Sequence, residues 1–167
     1  MDQRLDEKKL QYQNVVNVWE GFCVLHKELY DLACEEYITL LESDIDKLET
    51  MLPIKDEIIG RIAELERSRA TLIDQINDSK LFSKRIDRAG ELLAAFEAID
   101  QASGIPALKN LNSLLIDIIL RIQDQNKKNQ VFLNKAMQSI REIKQGFSGK
   151  KTFTTYGADG LTRSLNR

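Results

Sequence analysis

The sequence is poor in residues that carry out chemistry and in residues that interrupt helices. Its 167 positions hold one histidine, two cysteines, two prolines and one tryptophan. A serine or cysteine nucleophile would have only His26 as its base, and a metal site needs several His, Cys or carboxylate ligands at matched spacing, which the surroundings of His26 do not supply. His26 instead follows Phe22 by four residues and precedes Leu29 by three, so it reads as a packed side chain on an apolar helical stripe. Cys23 and Cys34, about three helical turns apart, are too distant for a disulfide within one helix and read as small buried hydrophobes. The first residues do not have the pattern of a signal peptide, so none is expected, and no apolar run is long enough to cross a bilayer unbroken. The expected setting is therefore a reducing cytoplasm, with no direct membrane insertion. The run GFSGKKT, Gly146 to Thr152, mimics a phosphate-binding loop but has two residues between its glycines where four are needed, and it leaves a helix where it should enter one. The expectation is a non-enzyme with no cofactor and no metal.

What is present is amphipathic helix. A composition of 43% hydrophobic and 30% charged residues suits long helices. Apolar residues recur at three and four spacing from Leu10 to Leu41, and again from Met51 to Ile76. Ser43 offers an N-cap between these two runs. Pro53 marks a kink or a first turn. A turn over Asn77, Asp78 and Ser79 leads to a shorter helix from about Ile86 to Ile99. Ser103, Gly104 and Pro106 then break the chain, with Pro106 opening a last helix that Gly146 and Gly149 end. Along that helix Leu111, Leu115, Ile118 and Ile122 give way to Gln125 and Asn129 before Phe132, Ala136, Ile140, Ile143 and Phe147. Polar residues in such a seam either set register inside a bundle or weaken self-packing and leave a partner site. The expected fold is all-α: an elongated antiparallel, coiled-coil-like bundle of three long helices plus a short one.

Charge divides the chain. Residues 1–120 carry 14 Lys and Arg against 23 Asp and Glu, while residues 121–167 carry 10 against 3. The expected organisation is a helical bundle over 1–147 and a basic, flexible tail over 148–167. The basic end lacks closely interleaved aromatics, so nucleic acid is not an expected partner. Within the tail, Thr152 to Tyr156 and Leu161 to Leu165 have strand-favouring residues around Gly-Ala-Asp-Gly, the pattern of a hairpin that would be marginal alone in water.

Three stretches carry a resemblance. PIKDEIIGRIAELERSR, with Lys55 and Leu65-Glu66-x-x-Arg69, is similar to the second-helix pattern of the FlgN-type flagellar export chaperones. IQDQNKKNQVFL, with Asn126, Asn129, Phe132 and Leu133, resembles that family's last-helix pattern. Tyr156-Gly157-Ala158-Asp159-Gly160 resembles its tail motif. The similarity spans roughly Ser43 to Gly160, departing at Gln130, where the family often has glycine, and in a longer segment between Lys80 and Pro106. The resemblance implies a cytoplasmic chaperone that binds hook-filament junction proteins through their C-terminal amphipathic segments and brings them to the cytosolic domain of the export gate. It implies client binding around Asn126, Asn129, Phe132 and Leu133, to which the apolar spacing of the same helix adds Ala136, Met137, Ile140 and Ile143, and gate docking by Tyr156, Gly157, Asp159 and Gly160. The competing reading of the residues alone is a coiled-coil scaffold or adaptor.

Overall fold

A computed structural model describes residues 2–148, 154–156 and 162–164. It contains α1 (Asp2–Glu42), α2 (Ile45–Asp78), α3 (Ala89–Ala102), α4 (Ala107–Ser148) and two short strands, β1 (Thr154–Tyr156) and β2 (Thr162–Ser164). Three long helices and a short one are present in the expected order, the short one beginning three residues later than expected, and they form an all-α bundle.

The turn between α1 and α2 corrects one detail. Ser43 is not the N-cap but a left-handed residue, with φ 57. Its N–H bonds to Leu40 O and that of Asp44 to Thr39 O, a Schellman closure of α1 built without glycine. Asp44 is the N-cap of α2, its carboxylate accepting from Lys47 N at 3.0 Å. Pro53 lies inside α2, well past the first turn. Ile86 does not start a helix. It is buried in the connection before α3, where Asn77 grips its backbone through both amide atoms, Nδ2 to Ile86 O and Oδ1 from Ile86 N, each at 2.9 Å. At the far end Gly146 sits within α4, and Gly149 lies outside the described residues.

The chain divides into two compact units, Met1–Asn129 and Gln130–Arg167. In the first, α1 and α2 are antiparallel: Glu36 pairs with Lys55 at 2.9 Å, Glu28 with Arg61 at 3.0 Å, and Arg4 reaches the carbonyl of Lys80 at 3.0 Å. At Gly21 the Leu65 side chain lies against α1: a Cβ there would sit 3.0 Å from Leu65 Cδ2. Bonds from α1 to α4 rise together in number, Trp19 Nε1 to Asn112 Oδ1 at 3.1 Å and Asn129 Nδ2 to Ala33 O at 3.0 Å, so α4 runs parallel to α1 and antiparallel to α2. Where α3 packs in, Val15, Val16 and Trp19 of α1, Leu72, Ile73 and Ile76 of α2, Leu92 and Phe96 of α3, and Leu108 of α4 form one cluster with Ile86. In the second unit, α4 continues from Gln130 to Ser148 and the two strands pair antiparallel, Thr154 opposite Ser164 and Tyr156 opposite Thr162. This pairing lies inside the two stretches with strand-favouring composition.

Candidate functional site

Exposure along α4 separates two kinds of residue that share one helical spacing. Leu108, Ile118 and Ile122 are buried, as three-four spacing against α1 requires. From Leu133 the spacing persists through Ala136, Met137, Ile140, Ile143 and Phe147, yet the large side chains face solvent: Ile140 is 63% exposed, Ile143 59% and Phe147 77%. Ala136 and Phe132 are half-buried, while Asn126 is exposed. Among the described residues, these apolar side chains of α4 are left exposed.

Asn129 stands apart from these residues. It is 4% exposed, and its Nδ2 donates to Ala33 O at 3.0 Å and to Glu36 Oε2 at 3.3 Å, while its Oδ1 accepts from Gln125 Nε2 at 3.0 Å. The same Glu36 Oε2 receives Lys55 Nζ at 2.9 Å. Lys55 of α2, Glu36 of α1 and Asn129 of α4 thus form one node, joining two of the residues that carried the family resemblance. A polar group in an apolar seam with every bond satisfied fixes one axial position of α4 against α1, the register role the sequence left open. The Glu66 and Arg69 pair of the second-helix pattern forms a separate bridge at 2.7 Å on the helix surface.

The opposite end of α4 is held by a residue the sequence did not single out. Asp100, in the last turn of α3 and 5% exposed, accepts from Leu108 N at 2.9 Å through Oδ1 and from Lys109 N at 3.1 Å through Oδ2. Its carboxylate therefore caps α4 from another helix. Tyr12 of α1 donates its hydroxyl to Oδ1 at 2.6 Å. Burial alone would push the Asp100 carboxyl up, but the bonds from Tyr12, Leu108 and Lys109, with the Lys109 charge, outweigh it and hold the group below the usual carboxylate range. Tyr12 moves the other way: burial first, then its bond to the charged carboxylate, push it up to about 12.

Of the tail residues, Tyr156 is the last residue of β1, and Gly157, Asp159 and Gly160 lie outside the described residues.

The chemically versatile side chains are occupied locally. His26 Nδ1–H donates to Phe22 O at 2.7 Å within its own helix. Cys23 is buried and its thiol is pushed up by burial and by the Glu20 charge, away from the thiolate that nucleophilic attack requires. Cys34 is half-buried, less enclosed than the sequence suggested. Among the described residues no group of three His, Cys or carboxylate side chains is placed to hold a metal, and no helix is long and apolar enough to cross a membrane.

The described residues thus form a helical bundle with buried polar nodes and, along the last part of α4, a run of exposed apolar side chains. Compared with known families, the chain matches the FlgN protein family over residues 10–164, nearly its whole length. It belongs to that family, and membership implies a flagellar export chaperone role. No curated protein and no solved structure gives a significant match.

Proposed function

We propose that the protein binds hook-filament junction proteins in the cytoplasm, keeps them from assembling early, and delivers them to the export gate. It does so as a binding protein, without catalysis or cofactor. The single observation that carries this reading is the exposed run Leu133, Met137, Ile140 and Ile143 on α4. Subunits destined to polymerise have apolar stripes that must not meet one another beforehand, and an amphipathic helix from such a subunit has the complementary face. Phe132 and Ala136 border the same stripe, and Asn126, an exposed residue of α4 in the first unit, is assigned a further client contact. Tyr156 is assigned gate docking together with Gly157, Asp159 and Gly160; tyrosine brings a large apolar ring and a hydroxyl to a shallow pocket.

Pairwise co-expression with the C-terminal region of a junction protein tests the reading. A soluble, co-purifying complex is expected, and its absence with every junction protein refutes it. A tight symmetric dimer burying the α4 stripe, seen by equilibrium sedimentation, would favour the scaffold reading instead.

A further inference from the structure

We propose that the connection between α2 and α3 forms a docking pocket for an acidic peptide segment that inserts one bulky apolar side chain. This surface belongs to the first unit and shares no residue with the α4 stripe, so it is independent of the client reading. A pocket of about 400 Å³ opens between residues 82–86 and the first two turns of α3, with Phe82 and Ile86 against Ala94 and Ala95 forming its apolar lining and Lys84 and Arg85 its charged side. That volume is ample for a bulky apolar side chain with its flanking backbone and too small for a folded surface.

Two observations identify the occupant. The first is charge. Between Lys80 and Arg88 there are four cationic side chains and one acid, whereas the rest of residues 1–120 has ten against 22. The α2–α3 connection is thus a positive island on an acidic body. Lys84 has no ion-pair partner among the described residues, and Arg85 shares only the exposed Asp87 at 3.0 Å. The one carboxylate in the lining, Glu91, is already committed to the backbone N–H groups of Asp87 and Arg88 at 2.8 and 3.0 Å. Carboxylates of a partner therefore meet cations here and are repelled elsewhere on the body.

The second observation is preorganisation. Asn77 clamps Ile86, Phe82 stacks edge-on against Phe96 at 5.1 Å, and Lys8 of α1 lies over the Phe82 ring at 5.0 Å. A pocket held open by its own packing binds without first ordering a loop. Its concavity also favours a peptide over an anionic membrane, which binds convex apolar faces that can enter the headgroup layer.

The test uses the full chain and a short fluorescein-labelled peptide with a central Phe flanked by Asp and Glu, followed by fluorescence anisotropy. Saturable binding is expected, weakened about tenfold or more by Lys84→Glu with Arg85→Glu, a loss typical of two charge contacts. A matched peptide with Ala in place of Phe should bind more weakly. Ala94→Trp, which plugs the pocket without changing charge, should erase that difference, while Lys150→Glu with Lys151→Glu in the tail should leave it intact. Should Ala94→Trp lower the helical circular dichroism signal, Ala94→Met serves the same purpose. The proposal is overturned if the Phe and Ala peptides bind alike, if the plugged variant still distinguishes them, or if phosphatidylserine-rich vesicles are captured through Lys84 and Arg85 while the peptide is not.

Discussion

Replacing Ile140 and Ile143 together by serine separates recognition from folding. Both side chains are mostly exposed, at 63% and 59%. Complete burial of an isoleucine contributes about 1.5–3 kcal/mol, so the exposed fraction leaves about 1–2 kcal/mol per residue for a partner to gain. The double variant should thus bind a client helix about 30- to 800-fold more weakly, corresponding to about 2–4 kcal/mol. Serine and isoleucine have similar helix propensities, and an exposed substitution usually shifts stability by no more than about 0.5 kcal/mol, about 1 kcal/mol for the pair, so the melting temperature should hold to within about 4 °C. Isothermal titration calorimetry with a purified junction-protein C-terminal segment gives the first quantity, and circular dichroism the second. Gln138→Ala is the control, because Gln138 is bonded to Glu142 on a different side of the helix and should be neutral for binding. An affinity within threefold of wild type refutes the reasoning, as does a melting temperature that falls by many degrees, which would assign the isoleucines to the fold.

Asn129→Ala should cost about 1–3 kcal/mol, since it strands Gln125 and removes the donor to Ala33 O and Glu36; urea unfolding measures the loss. Asp100→Asn should flatten the acid limb of the stability profile. The depressed carboxyl contributes stability that is present above the ordinary carboxylate range and lost as pH falls through its folded value, and the amide cannot titrate. An acid limb unchanged by the substitution would refute the assignment. Tyr12→Phe should act at the alkaline end: with the phenol raised to about 12, its stabilisation is full below pH 10 and disappears as pH rises through about 12, so the variant should lose less stability there than wild type. Tyr156→Ala should weaken binding to the cytosolic gate domain while leaving client affinity intact, and equal loss of both in pull-down titrations would move Tyr156 into the fold or the client surface.

The helices were legible because burial and helical period coincide over many turns. The exceptions are residues whose burial has another cause. Ile86 reads as the opening of a helix because it is apolar and follows a turn signal, but its burial comes from a clamp by Asn77, nine residues earlier, which a periodicity argument does not sense. Ser43 and Asp44 are both good capping residues, and the backbone chose between them by placing Ser43 in the left-handed region. Asp100 left no local trace at all: its partners are Tyr12, 88 residues away, and the start of the next helix. Asn129 was visible as a polar break in an apolar seam, but only the position of Ala33 and Glu36 across the bundle decides between register and recognition. The exposed stripe past Leu133 has the same sequence pattern as the buried stripe before it, so the pattern marks an apolar face without saying whether the chain itself covers it.

The bond from Asn129 ends on a main-chain oxygen, that of Ala33. Every amino acid carries that acceptor, so drift in the sequence of α1 cannot delete it by changing chemistry. Only bulk can, because Ala33 is 1% exposed and a larger side chain there would push α4 away. Over evolutionary time the node should therefore tolerate Gly or Ser at position 33 and exclude Leu or Phe. At position 129 it should demand an amide, an asymmetry that a comparison of related chains would display as a size filter on one helix and an identity filter on the other.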